Sequence, residues 1–225
     1  MGIELTPRLA AAASLVRGGG ILADIGTDHG YLPAHLVMNG TVNSAIAADV
    51  RKMPLKNAEN TVRAYGLSQK ITLKLSDGLD SFSPDEADEF VFAGMGGTLI
   101  AELMAKTPWV KNGNLHFVFQ PQSRAEELRE YLWQNGFEIG TELAVREGDR
   151  FYICLDAVYT GALRNFTPAE TFTGKLPHNE CAAEFMRRQY SRMRKKYDAL
   201  IQNGETDETK RLFEITEALR EFFDV

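Results

Sequence analysis

Short apolar runs alternate with segments of helical period along the first part of the chain. The apolar runs lie at residues 21–25, 44–48, 71–75, 89–93 and 115–119, and helical patterns lie at 5–16, 32–38, 54–65, 98–105 and 124–134. Strands that alternate with helices are typical of βαβ units and a parallel sheet. Residues 137–146 and 150–159 instead resemble antiparallel strands around a turn at Gly148-Asp149. The pattern predicts an α/β fold whose mostly parallel sheet ends in an antiparallel hairpin.

The C-terminal part has a different pattern. Residues 161–180 are rich in Thr, Pro, Gly and Asn, which predicts a linker between a domain at 1–160 and an arm at 181–225. The arm contains two amphipathic segments on either side of a turn at Asn203-Gly204. Their apolar positions recur every three or four residues, at Met186, Tyr190, Met193, Tyr197 and Leu200, then at Leu212, Ile215, Leu219 and Phe222. This spacing predicts a helical hairpin that forms a small antiparallel coiled coil.

Charge is segregated between the two arm helices. Residues 181–200 carry six basic and two acidic side chains, whereas residues 205–225 carry three basic and seven acidic ones. One interpretation is that the two charged faces pair with each other. The other is that the basic helix holds phosphates, as nucleic-acid-binding surfaces do. Both interpretations remain open at the level of the sequence.

Composition narrows the class of protein. The chain has 225 residues, enough for one sizeable α/β domain with an appendage, and a formal net charge of −6. That charge argues against a protein that coats nucleic acid indiscriminately, although a local basic surface is still compatible with a nucleic-acid enzyme. Cys154 and Cys181 lie far apart, so we expect neither a disulfide framework nor a metal site. With no signal-peptide or membrane-span pattern, we expect a cytoplasmic protein.

A glycine-containing loop follows the first apolar run and is the strongest candidate for a binding site. The sequence there is Asp24-Ile-Gly26-Thr-Asp28-His-Gly30, followed by a helical pattern. The dinucleotide fingerprint G-x-G-x-x-G would need glycine where Asp24 stands. The spacing D-x-G-x-x-x-G instead resembles the first motif of Rossmann-fold methyltransferases that use S-adenosylmethionine. Asp28 takes the place of their middle glycine, which puts a carboxylate beside the expected cofactor.

Three successive strands are predicted to end in an acidic residue. Asp24, Asp49 and Asp77 lie at βα-unit spacing. Carboxyl ends of parallel strands meet at one edge of a sheet, where ligands bind in open α/β folds. Asp49 lies where such folds place an acid, because two carboxylate oxygens can accept hydrogen bonds from two vicinal ribose hydroxyls. The sequence therefore predicts a nucleoside-binding edge.

Four stretches together carry a more specific resemblance. They are Leu5-Thr-Pro-Arg8-Leu9, the loop continued as Asp28-His-Gly-Tyr31-Leu-Pro33, Ala93-Gly-Met-Gly-Gly97-Thr-Leu-Ile100, and Gln120-Pro121. With the C-terminal helical hairpin, the chain resembles the bacterial tRNA adenine N1-methyltransferases that modify adenosine 22. The resemblance implies a class I methyltransferase fold, S-adenosylmethionine as methyl donor, and an adenine of tRNA as acceptor. It also implies that the helical hairpin helps to hold the tRNA.

Site residues follow from these positions and from the resemblance. The expected cofactor-binding residues are Asp24, Gly26, Thr27, His29, Gly30, Asp49, Val50, Asp77, Gly78, Ala93, Gly94, Met95 and Gly96. On the substrate side we expect Arg8, Tyr31, Gln120 and Pro121, and on the arm Arg187, Arg188, Arg192 and Lys195. Tyr31 is the candidate for stacking on a flipped adenine, although simple packing is an equal alternative. No metal is expected, and a monomer is favoured over a stable oligomer.

Asp28 is the candidate catalytic residue. Adenine N1 has its own lone pair and needs in-line positioning more than a strong base. Positive charge spreads onto the adenine as the bond forms, so a carboxylate could stabilise it or accept the N6 proton afterwards. The D/N-P-P-Y/F string of enzymes that methylate the exocyclic amine is replaced here by Ala93-Gly-Met-Gly-Gly97. Asp28 could equally bind the cofactor alone.

Two other function classes remain at this stage. A small-molecule methyltransferase with a dimerising coiled coil would suit the acidic composition. A degenerate Rossmann module could bind RNA without turnover. Binding of tRNA should weaken steeply as salt rises, whereas binding of a small neutral substrate should not.

Overall fold

The computed structural model describes residues 2–223; Met1 of the predicted domain and residues 224–225 of the predicted arm lie outside the described residues. Seven strands form one sheet: β1 (Ile21–Ile25), β2 (Ser44–Asp49), β3 (Ile71–Leu75), β4 (Glu89–Gly96), β5 (His116–Ser123), β6 (Phe137–Glu147) and β7 (Arg150–Tyr159). The helices are α1 (Pro7–Ser14), α2 (Tyr31–Met38), α3 (Lys52–Ala64), α4 (Gly97–Ala105), α5 (Ala125–Gln134), α6 (Pro168–Thr173), α7 (Glu180–Ile201) and α8 (Asp207–Phe223), with a 3₁₀ turn at Pro108–Val110.

The strand order is β3-β2-β1-β4-β5-β7-β6. Strands β1 to β5 are parallel to one another, whereas β7 is antiparallel to both β5 and β6. The predicted α/β sheet with a terminal hairpin is therefore confirmed. The order reverses between β1 and β4, and ligands bind at such a switch point in open α/β sheets.

Burial on both faces explains why the central strands are almost wholly apolar. Phe90 and Phe117 pack in one core layer, while their neighbours Val91 and Val118 pack in the layer on the opposite face. All four side chains are fully buried. Helices cover both faces of the central strands, as βαβ connections require.

Strands β4 and β5 run further than their apolar runs predict. The expected ends were residues 93 and 119, but β4 continues to Gly96 and β5 to Ser123. The added residues pair with a shifted register on either side of Met95, which is partnered by Pro121. Such an irregularity bends a strand and is common beside functional sites.

The segment 161–180, predicted as a linker, contains a helix and is fixed to the domain. Helix α6 begins with a capping box in which Thr167 and Glu170 bond each other's backbone N–H groups. The buried Arg129 of α5 donates from Nη1 to the carbonyl oxygens of Thr171, at 2.8 Å, and Phe172, at 3.2 Å. This segment is therefore an ordered structural connection.

Arg129 is itself paired within the domain. Its Nε lies 2.8 Å from Oε1 of Glu142 on β6, and both side chains are almost completely buried. The other oxygen of Glu142 accepts from the backbone N–H of Lys175. One buried ion pair thus joins α5, β6 and the connection to the arm.

The arm is a helical hairpin, as predicted. Tyr190 of α7 packs on Phe223 of α8, and Tyr197 packs on Phe213, so the two helices run antiparallel. The predicted apolar positions all lie in the packed interior, fully buried at Met186, Met193, Leu212, Ile215 and Leu219 and partly buried at Tyr190, Tyr197, Leu200 and Phe222. That interior is continuous with the core of the sheet. The arm is therefore docked on the domain along a shared apolar surface.

Candidate active site

A cleft of about 400 Å³ opens at the carboxyl ends of β1 and β4, at the switch point of the sheet. Its walls come from the loop after β1, the ends of β4 and β5, the start of α1 and Arg51, the second residue after β2. The lining residues are Thr6, Arg8, Leu9, Asp24, Gly26, Thr27, Asp28, His29, Gly30, Tyr31, Leu32, Arg51, Ala93, Gly94 and Gln122. Seven of the cofactor residues expected from the sequence are thus brought together with Asp28, Arg8 and Tyr31.

Asp24 lies in the floor of this cleft without a basic partner among the described residues. Burial raises its pKa to about 6, the nearby Thr27 hydroxyl lowers it in part, and the charge of Asp49 raises it further. The hydroxyl of Thr27 is itself buried and has no partner in hydrogen-bonding geometry. A buried polar atom without a partner costs free energy, and such atoms mark places where a ligand can supply the missing bond. Asp24 and Thr27 form a polar floor that a ligand can complete.

Two glycines shape the space above this floor. Gly26 has φ of 79°, and a Cβ there would collide with Cε of Met95, so glycine is needed for Met95 to pack on the loop. Gly94 has φ of 89°, and its Cβ would enter the cleft toward Gln122 and Arg8. Left-handed backbone without a side chain allows a ligand to approach the strand ends. Met95, expected among the cofactor residues, packs over Gly26 and does not line the cleft itself.

Asp28 lies at the rim, in contrast to Asp24. Its side chain is 70% exposed and lies 3.5 Å from Nε2 of His29. Among the described non-glycine residues only Arg124 has positive φ, so Asp28 replaces the middle glycine of the motif in ordinary backbone geometry. The ring of His29 stacks on Tyr31, with centroids 5.2 Å apart and planes 8° apart. Carboxylate, imidazole and phenol thus stand together at the cleft mouth.

Arg8 enters the cleft from α1. Its Nη1 donates to Oε1 of Gln120 at 3.1 Å, and its Nε lies 3.5 Å from Oε1 of Glu147 at the end of β6. Gln120 is fully buried and donates its amide to the carbonyl of Pro121. Neither Gln120 nor Pro121 lines the cleft, so these two expected substrate residues reach it only through their neighbours. The geometry gives Gln120 the role of holding Arg8 in place through its buried side-chain amide.

Other expected cofactor residues lie beside the cleft. Asp49 is buried at the end of β2, where its Oδ1 accepts from the backbone N–H of Arg51 at 2.7 Å. Val50 is exposed next to it, at 54%. Asp77 is exposed in the turn after β3, and Gly78 packs against Leu103. Gly96 is the residue before α4.

The cleft also contains residues that sequence reasoning missed. Arg51 follows the end of β2, Gln122 lies near the end of β5, and Thr6 and Leu9 lie on either side of Arg8. The position of Gln122 could have been found only by extending β5 beyond its apolar run. Glu147 carries no local signal, because its partner Arg8 lies at the other end of the chain.

The cysteines are not activated thiols. Burial raises the pKa of Cys154 to about 12, offset in part by Arg8, and burial also raises the pKa of Cys181. A thiol whose pKa is raised has little thiolate at neutral pH. Neither residue has the electrostatic surroundings of a nucleophile.

On the arm, Arg187, Arg188, Arg192 and Lys195 line an open surface groove of about 480 Å³ together with Glu184. Within residues 2–223 a single ion pair, Lys196 with Glu208 at 2.7 Å, joins α7 to α8. The charged faces of the two helices therefore do not neutralise each other, which disfavours the first interpretation of the segregated charge. The basic face of α7 is exposed to solvent, with its arginines also in contact with Glu184 on the same helix and Glu126 on α5.

Comparisons with known proteins agree with this geometry. The family described as "Methyltransferase domain" matches residues 5–155. The tRNA (adenine(22)-N(1))-methyltransferase of Bacillus subtilis is 29% identical over 236 residues, covering 99% of this chain and 98% of that protein. The crystal structure of the B. subtilis m1A22 tRNA methyltransferase TrmK superposes with a TM-score of 0.85 at 27% identity, covering 99% of this chain and 100% of that one.

A second solved structure contains the cofactor. Streptococcus pneumoniae Sp1610 in complex with S-adenosyl-L-methionine matches with a TM-score of 0.82 at 29% identity, covering 96% of this chain and 98% of that chain.

Among residues 2–223, no helix has the length and apolar character to cross a membrane.

Proposed function

Since the chain belongs to the methyltransferase-domain family and, within it, to the tRNA adenine-22 N1-methyltransferases, we propose that it transfers a methyl group from S-adenosylmethionine to N1 of adenosine 22 in tRNA. The product is 1-methyladenosine. The observation that carries this proposal is the likeness over the whole chain, arm included, together with a glycine-walled cleft at the switch point of the sheet.

The cleft fits S-adenosylmethionine on its own geometry. The buried Thr27 hydroxyl lacks a partner, and Gly94, which has no side chain to project into the cleft, leaves room for a ligand against the backbone. Asp24, Thr27 and the glycine loop would hold it, with Asp49 available to the ribose hydroxyls. When bound, the cofactor supplies a methyl group on a sulfonium, which adenine N1 can attack with its own lone pair.

Asp28 is the catalytic residue we propose for this chain. Asp24 in the cleft floor and Asp49 beside the cleft are each 6% exposed, whereas the Asp28 side chain is 70% exposed at the cleft mouth. An exposed carboxylate at the mouth can face an incoming base, where it stabilises the positive charge that develops on the adenine and accepts the N6 proton. His29, 3.5 Å away, orients it.

The stacked pair of His29 and Tyr31 supports a role in holding the base. One face of the Tyr31 ring lies on His29, and the side chain is 44% exposed. Enzymes that act on a base inside structured RNA take it out of the stack and hold it against aromatic side chains. We propose that Tyr31 contacts the flipped adenine, with Arg8 near its phosphate or ribose.

We also propose that the basic face of α7 binds tRNA. Removing the arm is a poor test, because Phe185, Met186 and Met193 belong to the core shared with the sheet. Charge substitution is better: Arg187, Arg192 and Lys195 changed together to Ala should lower tRNA affinity and reduce the salt slope by up to about one per lost phosphate contact. The matched control is Lys210→Ala on α8. An unchanged salt slope would exclude the α7 face.

Oligomeric state and location belong to the proposal as well. The apolar stripes of α7 and α8 pack on each other and on the sheet, which leaves little for a dimerising coiled coil, so we propose a monomer. A tRNA substrate supports a cytoplasmic location.

The decisive experiment uses labelled S-adenosylmethionine with tRNA, followed by digestion to nucleosides. We expect label in 1-methyladenosine with tRNA that carries A22 and none with an A22→G transcript. Label in the A22→G transcript at the same level would contradict the site, and absence of 1-methyladenosine from both would remove the proposed function.

A further inference from the structure

The β6–β7 hairpin touches the cleft on one side and the arm on the other. Its tip consists of residues 146–151, between the end of β6 and the start of β7. On the cleft side, Glu147 contacts Arg8 of α1. On the arm side, Arg188 of α7 contacts the hairpin backbone and the ring of Phe151. The hairpin is therefore a physical connection between the two surfaces proposed to meet the tRNA.

Glu147 holds Arg8 at two points. Its Oε2 accepts from the backbone N–H of Arg8 at 3.2 Å, and its Oε1 lies 3.5 Å from the Arg8 guanidinium Nε. Because Arg8 lies in the first turn of α1, the first contact also places a carboxylate at the positive end of a helix. The Arg8 backbone carbonyl is contacted in turn by Sγ of Cys154 on β7, at 3.5 Å. With Gln120 on Nη1, these bonds fix both the main chain and the side chain of Arg8.

The arm holds the same hairpin from the opposite direction. Nη1 of Arg188 donates to the carbonyl of Asp149 at 2.6 Å, and its guanidinium stands 4.6 Å from the ring centroid of Phe151. Arg146 approaches the same ring at 5.8 Å. Of the four basic residues expected to meet tRNA, Arg188 is the one that contacts the hairpin backbone.

We infer that Glu147 is a positioning residue for Arg8, and that the arm, through Arg188, holds the hairpin that carries it. Glu147 does not line the cleft; it acts by keeping the Arg8 guanidinium there. The inference rests on the proposed function in one respect, that Arg8 faces the tRNA substrate.

A double-mutant cycle tests the first part. Glu147→Gln removes the charge that orients Arg8, and we expect kcat/KM for tRNA to fall about tenfold, as for loss of a hydrogen bond to a charged group. The kcat/KM of Arg8→Gln should fall at least as far. If Glu147 acts through Arg8, the double variant should match Arg8→Gln within about twofold, since the effects cannot add. Glu138→Gln, an exposed carboxylate on the same strand, is the matched control and should equal the wild type.

Other outcomes contradict the inference. If the losses in kcat/KM of the two single variants multiply in the double variant, and Tm is lowered, Glu147 is a merely structural residue. If Glu147→Gln has wild-type kinetics, Glu147 has no role in turnover. If Glu147→Gln does not fold, Glu147→Asp takes its place, because it retains the charge on a shorter side chain. The double-mutant cycle with Arg8→Gln is then measured on that variant. The proposed function fails separately, when the wild type itself makes no 1-methyladenosine.

The second part of the inference, that the arm holds the hairpin through Arg188, is tested by whether a substitution changes kcat or KM. Arg188→Ala should lower kcat at saturating tRNA, because the hairpin and Arg8 lose their support. Lys195→Ala, on the same open face of α7, should raise KM for tRNA and leave kcat unchanged. If Arg188→Ala behaves as Lys195→Ala does, Arg188 is only one more phosphate contact and the arm does not hold the hairpin.

Discussion

The cleft floor and the arm junction bury charged groups in opposite ways. At the junction, Glu142 uses both carboxylate oxygens and Arg129 bonds through Nε and Nη1, leaving Nη2 as its one unpartnered nitrogen among the described residues. In the floor, Asp24 has no cation beside it and the Thr27 hydroxyl has no partner. Partnered charges fix the structure, whereas unpartnered polar atoms lower stability and persist where a ligand completes them.

The largest effect should come from the junction. Arg129→Met leaves Glu142 as an uncompensated buried charge, and we expect a loss of about 3–5 kcal/mol in the free energy of unfolding measured with urea. Adding Glu142→Leu should recover most of it. Arg211→Met on α8 is the exposed control and should change stability by less than about 0.5 kcal/mol. A small loss for Arg129→Met would mean that the pair is structurally dispensable.

At the rim of the cleft, the expected effect is on turnover and not on stability. Asp28→Ala should lower kcat about 100-fold to 1000-fold, or about 3–4 kcal/mol, because a positioned carboxylate is lost from the reacting base. Cofactor affinity measured by calorimetry should stay within a few-fold, and Asp80→Ala should leave both quantities unchanged. Collapse of cofactor affinity would make Asp28 a cofactor-binding residue.

In the floor, Asp24→Asn should separate stability from binding. Asp24 has a pKa of about 6 in the folded chain against an ordinary 3.8, so the folded state binds more protons between these values and stability falls as pH rises through that window. Above pH 6 the charged form costs up to about 3 kcal/mol. Asn should therefore stabilise the free protein at pH 8, have a smaller effect at pH 4, and weaken cofactor binding. An equal change in stability for Asp24→Asn at pH 4 and pH 8 would contradict the raised pKa of Asp24.

The smallest effect on stability should come from a third buried cluster, at the amino ends of β4 and β5, away from the cleft. His116 pairs through Nδ1 with Glu89 and through Nε2 with Asp156, at 3.1 Å. Burial lowers its pKa, but the two carboxylates outweigh burial and the net shift is upward. Its stabilisation is thus fully present below the ordinary pKa of 6.5 and is lost as pH rises through the higher folded pKa. Thermal unfolding of His116→Gln should show a flatter pH profile in this range; an identical profile would exclude the cluster.

The part of the site that lies in one stretch of sequence could be predicted. The loop from Asp24 to Gly30 follows an apolar run, so its strand, turn and helix were all visible, and Arg8 and Tyr31 entered through their motifs. The polar ends of β4 and β5 were not visible in the sequence, since Gln122 belongs to a strand only because its neighbours Pro121 and Ser123 pair with β4. Glu147 and Arg129 depend on partners distant in sequence. Helix α6 did carry a local signal, the capping box from Thr167 to Glu170.

The shared interior of arm and sheet has a consequence for engineering and for evolution. Because Phe185 and Met193 complete a core that also contains Trp133, the arm is not an exchangeable module. A chimaera that grafts only α7 and α8 onto another Rossmann enzyme would expose apolar surface on both pieces. A successful transplant must also carry α5, α6 and the Arg129–Glu142 pair, so RNA-binding and catalytic parts of this chain are constrained to diverge together.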